Sequence, residues 1–148
     1  MRAAEPEDFE AWLPLWNGYN AFYGREGTTA LPEPVTADRW ATFLSWDEPM
    51  WALVASRGGR LVGLAHYLFH HSTTSLAPSC YMQDLFTAAE ERGSGVGAAL
   101  IEAVAVRAKA AGSTSIYWQA HRTNQTAMRL YDRVAAQSEF LIYRLPLD

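Results

Sequence analysis

The feature that most constrains this chain is a glycine-rich turn between an apolar run and an alanine-rich amphipathic stretch. The turn, residues 92–97, reads Arg-Gly-Ser-Gly-Val-Gly and directly follows the apolar run 80–87. Val96, Leu100 and Val104 then fall on one helical face. The first N–H groups of a helix lack internal partners and carry partial positive charge, and glycines let a ligand approach the backbone. The order strand, turn, helix therefore predicts a site for a phosphate-bearing ligand.

Size and composition predict a folded protein with a core rich in aromatic rings. The chain has 148 residues, of which 49% are hydrophobic and 19% are charged. No apolar run approaches the roughly 20 residues that a membrane span needs, and the acidic first residues lack the apolar stretch of a signal peptide. The single cysteine, Cys80, cannot form an internal disulfide. We expect a cytoplasmic protein with no membrane partner.

The charge distribution argues against nucleic acid as a partner. The formal net charge is −4, and the chain lacks the basic excess that nucleic-acid binders present to phosphates. The acidic excess lies in residues 1–74, while residues 75–148, which contain the glycine turn, are balanced. This asymmetry indicates either ordinary surface solubility or attraction of a cationic small molecule.

The pattern of apolar residues predicts a mixed α/β sheet covered by helices. An aromatic stretch with Pro14 inside it predicts a first helix, and Thr36 is expected to cap a second over 37–44. The remaining predicted elements are strands over 50–55 and 60–70, a strand over 80–87, a helix from 96 to near 112, a strand over 115–120, a helix over 124–134 and a last strand over 140–145. This order predicts an antiparallel meander followed by a strand–helix–strand crossover.

Two common nucleotide sites do not fit the turn. A Walker-type loop needs Gly-Lys-Ser/Thr, and the only lysine in the chain is Lys109. A dinucleotide fold needs an acidic residue about twenty residues on, and the strand predicted over 115–120 has none. The ligand is therefore expected to carry a phosphate of another kind. Arg92 stands where a guanidinium can reach a pyrophosphate oxygen.

At this point the sequence resembles a known family. Residues 81–87 and 91–100 resemble the acyl-coenzyme A signature of the GNAT N-acetyltransferases, whose pattern Arg/Gln-x-x-Gly-x-Gly/Ala is matched by Arg92, Gly95 and Gly97. Residues 124–131, Asn-Gln-Thr-Ala-Met-Arg-Leu-Tyr, are similar to the second signature of the family. Within the family, the segment 83–86 is most similar to that of the polyamine and histone acetyltransferase-like groups.

The resemblance implies a fold and a cofactor. The fold is a central, mostly antiparallel sheet with a splayed parallel pair, flanked by about four helices, in a single acyl-CoA N-acyltransferase domain over residues 1–148. The cofactor is acetyl-CoA. The backbone of Leu85, Phe86 and Thr87 would pair with the pantetheine arm. The residues whose N–H groups would cradle the pyrophosphate are Arg92, Gly93, Ser94, Gly95, Val96, Gly97 and Ala98.

The resemblance also assigns two residues of the second signature. Asn124 would hold the pantetheine or orient the site. Tyr131 would donate a proton to the departing thiolate, which a tyrosine hydroxyl can do at neutral pH. Without the surrounding motif, Tyr131 would be interpreted as a core ring on an amphipathic helix.

The acceptor side departs from the family pattern. Related polyamine enzymes carry a glutamate where this chain has Gln83, which cannot act as a base. Asp84 is the remaining carboxylate, and it either binds or deprotonates the amine, or only makes local hydrogen bonds at the strand end. Neighbouring residues of a strand face opposite sides, so Gln83 and Asp84 cannot both face one substrate unless a bulge intervenes.

Aromatic residues supply the other acceptor candidates. Phe22 and Tyr23 lead into the loop 24–27 and could form the wall of an acceptor pocket by cation–π contact. Trp118 lies at the end of the strand before Asn124, followed by His121, which is either a relay or a solvated loop histidine. The remaining histidines lack the spacing of metal ligands, so we expect no metal.

The sequence therefore predicts an acetyl-CoA-dependent N-acetyltransferase that acts by direct attack in a ternary complex. The expected acceptor is the primary amine of a small molecule: a polyamine, a diamine or an amino-acid-like compound. Two alternatives stay open, namely a non-catalytic acyl-CoA sensor and a histone-like lysine acetyltransferase. A homodimer is expected, since the symmetric pair is the commonest assembly. The Gly-Phe pair that usually follows the tyrosine is absent, and Phe140 stands in for its aromatic residue.

Overall fold

The computed structural model describes residues 1–147, which form a five-stranded sheet and four α-helices. The elements are β1 (Arg2–Ala3), α1 (Phe9–Phe22), α2 (Glu33–Leu44), β2 (Met50–Arg57), β3 (Arg60–His70), β4 (Ser79–Thr87), α3 (Val96–Ala110), β5 (Ile116–Tyr117) and α4 (Gln125–Val134). The strands lie in the order β1-β2-β3-β4-β5. Neighbours are antiparallel except β4 and β5, which are parallel. The predicted mixed sheet with a parallel pair is confirmed.

Each face of the sheet is covered by helices over its own apolar core. On one face, the indole rings of Trp12, Trp16 and Trp40 from α1 and α2 pack on Leu64 of β3. On the other face, the predicted stripe of α3 is buried against β2, β3 and β4. These two layers fix the positions of β4 and of the glycine turn that follows it.

A β-bulge in β4 decides which side chains reach the site. Tyr67 pairs with Met82 and His66 pairs with Asp84, so Gln83 is the extra residue. The bulge reverses the alternation of the strand: Met82 packs into the α3 core, whereas Asp84 turns to the α1 face and meets His66. The sequence required a bulge for Gln83 and Asp84 to face the same substrate. The bulge is present, but Gln83 is exposed to solvent.

The parallel pair separates after two residues. Cys80 pairs with Ile116 and Tyr81 with Tyr117, and the ladder then ends. Within the described residues, the edge of β4 beyond Tyr81 that points away from β3 has no strand neighbour, and a cavity opens there between β4 and α4. The splay leaves main-chain donors and acceptors of β4 free for a ligand.

Some predicted boundaries were wrong. Helix α2 begins at Glu33 rather than at 37, because Pro34 suits a first helical turn, and Thr36 therefore does not cap it. Thr36 Oγ1 instead accepts a hydrogen bond from Trp16 Nε1 at 3.1 Å. Strand β5 is shorter than the predicted 115–120, and β1 was not predicted, because two residues are too few to show an alternation.

The predicted last strand over 140–145 was also wrong. After α4 the described residues form no further helix or strand. Ala135 leaves the helix in an extended conformation, with φ −150° and ψ 178°. The segment that follows has its large apolar side chains in solvent.

Candidate active site

One cavity brings together most of the residues singled out in the sequence. It has a volume of about 540 Å³ and lies between β4, the glycine turn, α4 and the end of α1. Its lining includes Tyr19, Phe22, Tyr23, Leu85, Phe86, Thr87, Arg92, Gly93, Gly95, Val96, Gly97, Ala98, Asn124 and Tyr131. The two signature segments are thus on opposite walls of the same space.

The glycine turn presents unpaired main-chain N–H groups to this cavity. Gly93 and Gly95 have φ of 80° and 88°, a left-handed backbone conformation that residues other than glycine rarely adopt. The first helical hydrogen bond runs from Ala99 N–H to the Gly95 carbonyl, so the N–H groups at the start of α3 have no intrahelical partner.

Two of the predicted cradle donors are already used: Arg92 N–H donates to the Ala89 carbonyl at 3.4 Å, and Ser94 N–H donates to the Glu91 carbonyl at 3.3 Å. The Ser94 hydroxyl also donates to Glu91, and Ser94 is not in the lining.

Gly97 keeps the walls of the cavity close together. A Cβ built at this position would lie 2.9 Å from Leu130 Cδ2, so the end of the Leu130 side chain on α4 would have to shift to admit it. The glycine thus serves helix packing as well as ligand access.

A pair of ion pairs fixes the turn to the β2–β3 hairpin. Glu91 Oε2 lies 2.6 Å from Arg57 Nη1, and Glu91 Oε1 lies 3.1 Å from Arg60 Nη2. The side chain of Glu91 is only 14% exposed. Arg92, the next residue, places its guanidinium 5.7 Å from the centroid of the Phe86 ring. Glu91 is therefore held by the hairpin, and both Glu91 and the neighbouring Arg92 line the cavity.

Helix α4 carries the other signature residues. Asn124 is its N-cap, and its Oδ1 accepts a hydrogen bond from Ala127 N–H at 3.3 Å. Tyr131 lies two turns further on and also lines the cavity. Burial raises the pKa of Tyr131 to about 12. The hydroxyl is consequently protonated at physiological pH and available as a donor.

The bulge brings Asp84 onto a buried histidine. His66 is fully buried, and its Nδ1 lies 2.8 Å from Asp84 Oδ2. Trp12 Nε1 donates to the other ring nitrogen of His66, Nε2, at 3.2 Å. Since an indole N–H can only donate, Nε2 must accept, and the single proton of a neutral ring lies on Nδ1. His66 therefore donates to Asp84 and fixes the orientation of the carboxylate.

Two tyrosines connect Asp84 with the cavity. Asp84 is 9% exposed and is not part of the lining, whereas Tyr19 and Tyr23 are. Burial, followed by the nearby Asp84 charge, raises the pKa of the Tyr19 hydroxyl well above its usual value. Burial and then Asp84 raise the pKa of Tyr23 as well. The carboxylate thus acts on the cavity across a tyrosine wall.

Not every predicted residue lies at the cavity. Gln83 is exposed at the bulge, and Trp118 packs edge-on against the Tyr131 ring, with centroids 5.3 Å apart. His121 lines an adjoining hollow with Phe22 and Tyr23, and its Nδ1 bonds to Thr123 Oγ1. His66 and Tyr19 were missed as site residues. The signal for His66 is that it faces a carboxylate on the neighbouring strand, and this is visible only once the strand register is known. Tyr19 showed only the helical spacing of a core aromatic residue.

Two further observations concern residues 1–147. In that range no three His, Cys, Asp or Glu side chains come together as metal ligands would. None of the helices described there combines the length and the apolar character needed to cross a membrane.

Comparison with known proteins agrees with this geometry. The family model "Acetyltransferase (GNAT) family" matches residues 12–135, which is most of the chain. The chain belongs to the GNAT family. It is also 34% identical over 146 residues to the D-amino-acid N-acetyltransferase HPA3 of Saccharomyces cerevisiae, covering 97% of this chain and 88% of that protein. This GNAT protein is an N-acetyltransferase, and its family uses acetyl-CoA.

Solved structures show the same GNAT fold at low sequence identity. A complex of AAC(6')-Iy with the bisubstrate analog CoA-S-monomethyl-acetylneamine superposes with a TM-score of 0.83 at 16% identity, over 99% of this chain and 97% of that one. The ribosomal-protein-alanine N-acetyltransferase of Brucella melitensis biovar Abortus gives a TM-score of 0.78 at 20% identity, over 99% and 98% of the two chains. The fold class predicted from the sequence is therefore confirmed.

Proposed function

We propose that this GNAT acetyltransferase moves an acetyl group from acetyl-CoA to the primary amine of a small amino-acid-like acceptor. One observation carries the proposal: a single cavity joins the glycine turn, the open edge of β4, Tyr131 and a tyrosine wall backed by Asp84. The relative that is named a D-amino-acid N-acetyltransferase supports the acceptor class. Acetyl-CoA, when bound, supplies the activated acetyl thioester.

The residues around the turn fit a coenzyme A molecule. The free edge of Leu85–Thr87 offers main-chain groups to an extended amide-containing arm, as an added strand would require. The N–H groups of Val96, Gly97 and Ala98 belong to the first turn of a 15-residue helix, where the helix dipole stabilises a diphosphate. Arg92 adds a charge-assisted contact from the same wall.

We assign Tyr131 as the acid at the thiol end of the cavity. Its pKa of about 12 keeps a proton on Oη across the physiological range, and that proton can be given to a departing thiolate. Asn124, on the same helix and in the same lining, would hold the arm that enters beside β4. Its Oδ1 is already used by the helix cap, so its NH₂ group is the part left to donate.

We assign Asp84 to the amine. A primary amine arrives protonated, and it must lose a proton before it can attack. Asp84, held by His66, attracts the ammonium group through its charge and accepts the proton across the tyrosine wall, through a bound water. Phe22, Tyr19 and Tyr23 supply ring faces that favour a cation on the same side of the cavity.

Arg25 favours an amino acid over a polyamine. Its guanidinium lies 5.8 Å from the Tyr19 ring centroid and 5.5 Å from that of Tyr23, beside two tyrosines that line the cavity, although Arg25 is not itself in the lining. Its Nε donates to Asn20 Oδ1 at 2.7 Å, which fixes the group in place. A fixed cation repels a polycation, whereas it can pair with the carboxylate of an acceptor whose amine faces Asp84.

The test compares each amino acid with the amine that lacks only its carboxylate. Acetylated product is measured by mass spectrometry for D-phenylalanine and phenethylamine, and for further pairs of this kind. We expect Arg25→Gln to lower kcat/KM by about 10-fold or more for the amino acid and to leave that for the amine unchanged. Arg107→Gln, on α3, is the matched control.

The outcomes separate the acceptor class from the activity. An equal loss for both members of each pair would remove Arg25 from acceptor recognition and leave the acetyltransferase intact. Binding of CoA without product from any amine would instead favour the acyl-CoA sensor. A homodimer is part of the proposal, and the cytoplasmic location stays a prediction.

A further inference from the structure

The glycine turn has little packing of its own to hold it in shape. A Cβ built on Gly93 or Gly95 would meet no heavy atom of the described residues within 4 Å, its chain neighbours aside. Glycine also loses more backbone freedom on ordering than any other residue. A ligand binds more tightly when the groups that hold it are already in place. Residues outside the turn must therefore fix its conformation.

Glu91 connects the turn to the sheet. Its carbonyl accepts a hydrogen bond from Ser94 N–H at 3.3 Å, and both oxygens of its carboxylate are paired with the β2–β3 hairpin. Just before it in the chain, Ala88 N–H donates to the Val62 carbonyl of β3 at 2.8 Å. The segment that leads into the turn is thus held through its main chain at Ala88 and through a side chain at Glu91.

The two arginines that pair with Glu91 stand directly opposite each other in the hairpin. Arg57 ends β2, Arg60 begins β3, and the two are partners in the strand register. Like charges at directly opposite positions destabilise a pair of strands. The Glu91 carboxylate lies 2.6 Å from Arg57 and 3.1 Å from Arg60, and it offsets this repulsion. Two facing arginines are therefore explained by the anion that they share and not by the hairpin itself.

Glu91 also places a negative charge in the wall of the cavity. It belongs to the lining and is 14% exposed. An unpaired carboxylate at this position would repel a diphosphate. Arg57 and Arg60 compensate the charge, and Arg60 Nη1 also lies 3.5 Å from Glu90 Oε1, so two cations balance two carboxylates. The turn can consequently keep an acidic anchor without opposing an anionic ligand.

We propose that Arg57 and Arg60 are positioning residues for the cofactor diphosphate and that they act through Glu91. They hold the glycine turn in its binding conformation and neutralise the carboxylate beside it. Neither arginine is in the lining of the cavity, whereas Glu91 is. The role of the two arginines rests on the cofactor site proposed above. It predicts that they affect ligands that carry the diphosphate and not the pantetheine arm, which would lie along β4.

Calorimetric titration of the double variant Arg57→Gln/Arg60→Gln with CoA and with pantetheine tests this role. Both side chains are more than half exposed, so the fold should be kept, which tryptophan fluorescence checks. We expect the dissociation constant for CoA to rise by about 10-fold or more, because Glu91 is released and its charge is uncovered. The constant for pantetheine should not change.

The matched control is Arg39→Gln/Arg107→Gln. It removes the same number of positive charges from α2 and α3, and neither residue is in the lining of the cavity. It should bind both ligands as the wild type does. In the variant of Arg57 and Arg60, an unchanged affinity for CoA, or an equal loss for CoA and pantetheine, would overturn the proposal.

Adding Glu91→Gln to the double variant separates the charge from a loss of packing. The substitution removes the uncovered carboxylate but cannot rebuild the ion pairs. The triple variant should therefore bind CoA about 3-fold or more tightly than the double variant, and still less tightly than the wild type. Equal affinity of the double and triple variants for CoA would show that no charge had been neutralised, which would contradict the proposal.

The wild type distinguishes two kinds of failure. No heat with CoA in the wild type would remove the cofactor site, and the role of the arginines with it. Binding of CoA that is equally tight in the wild type and in Arg57→Gln/Arg60→Gln would leave the cofactor site in place and remove only the role of the arginines.

Discussion

The chemistry of this site depends on where one bulge residue falls in β4. Because Gln83 is extra, Asp84 faces α1 rather than α3, and it meets His66 across the ladder. His66 in turn is fixed by Trp12 from α1. A carboxylate oriented by one neutral histidine keeps its remaining lone pairs for an amine or a tyrosine hydroxyl.

Substituting Asp84→Asn tests this assignment. The amide oxygen can still accept from His66 Nδ1, so the fold should be kept, but the charge and the basic oxygen are lost. We expect kcat/KM for amine acceptors to fall by about 100-fold or more, with CoA affinity unchanged. Gln83→Ala, at the exposed bulge position, is the control and should retain near-full activity. Equal activity of Asp84→Asn and wild type would exclude Asp84 from the chemistry.

Tyr131→Phe tests the acid. Removing the hydroxyl should lower kcat by about 100-fold or more while calorimetry shows the same affinity for CoA. The ring stays, so its packing against Trp118 is preserved. An unchanged kcat would remove Tyr131 from the mechanism.

The pH profile gives an independent check on Tyr131. Burial raises its pKa to about 12, so the proton-bearing form persists as pH rises and is lost only near that value. Between pH 8 and about 10.5 we therefore expect no decline in kcat from this group. An alkaline fall in kcat near the ordinary tyrosine pKa of about 10, absent in Tyr131→Phe, would contradict the assignment.

Sequence patterns predicted most of the residues that line the cavity on the proposed cofactor side, and they missed part of the proposed acceptor side for a physical reason. Gly95, Gly97, Asn124 and Tyr131 belong to local motifs, and local motifs survive without tertiary information. His66 meets Asp84 only through strand pairing, and the register of that pairing is shifted by the bulge. The packing of α1 decides that Tyr19 and Tyr23 lie beside Asp84, and no local sequence pattern predicts that packing.

Among the elements, the contact of α3 with β3 depends on the absence of a side chain at Gly63. A Cβ there would lie 2.9 Å from Val96 Cγ1 and 3.0 Å from the Phe86 carbonyl oxygen. Val96 belongs to the first turn of α3, and this turn presents its N–H groups to the cavity. Packing and ligand binding are thus coupled at the start of α3.

Gly63→Ala should destabilise the protein by about 1–3 kcal/mol, because the backbone oxygen of Phe86 cannot move aside as a flexible side chain can. Urea unfolding monitored by tryptophan fluorescence measures this loss. The double variant Gly63→Ala/Val96→Ala removes only the contact with Val96 and keeps those with Leu100 Cδ1 and the Phe86 carbonyl oxygen, each at 3.0 Å, so most of the loss caused by Gly63→Ala should remain. A free energy of unfolding equal to wild type for Gly63→Ala would show that α3 is not held as closely as described.

Asp8, directly before α1, ties β1 to that helix. Its carboxylate lies 2.6 Å from Arg2 Nη1 and accepts from Glu5 N–H at 2.8 Å. The hydrogen bond from Arg2 lowers the pKa of Asp8. A lowered folded-state pKa means that this contribution to stability is present above the unfolded value of about 4 and is lost as pH falls through the folded value.

Asp8→Asn should therefore lower the free energy of unfolding by about 1 kcal/mol at pH 7, a modest value because Arg2 is partly exposed. The difference from wild type should shrink as pH falls below about 4. Urea unfolding at pH 7 and pH 3 checks both statements. A difference that stays constant with pH would mean that the ion pair does not form in solution.

Elements were predicted well where an apolar pattern was long and poorly where the partner lay outside the pattern. Strand β3 was predicted with its observed bounds, because a long and nearly continuous apolar run follows the Gly58-Gly59 turn. The strand over 140–145 was predicted from equally apolar residues, but a strand needs a neighbour, and this segment pairs with no strand among the described residues. The apolar pattern indicates that the segment can form a strand, but it does not indicate which strand it would pair with.

At the scale of the whole molecule, two helical layers hold a splayed sheet, and the splay creates the cavity. One wall is the open edge of β4, the other is α4, and the glycine turn closes the end at which a diphosphate would lie. Main-chain N–H groups of the turn are available to bind the anion, and three guanidinium groups, those of Arg92, Arg129 and Arg133, line the same cavity.

Calorimetric titration with CoA, dephospho-CoA and pantetheine tests this account most directly. The first two ligands carry the diphosphate and the third lacks it. Contacts to the turn should make CoA and dephospho-CoA bind about 100-fold or more tightly than pantetheine, and Ser94→Ala should change neither, because main-chain groups make the contacts. Pantetheine binding as tightly as CoA, or no heat with CoA, would contradict the account.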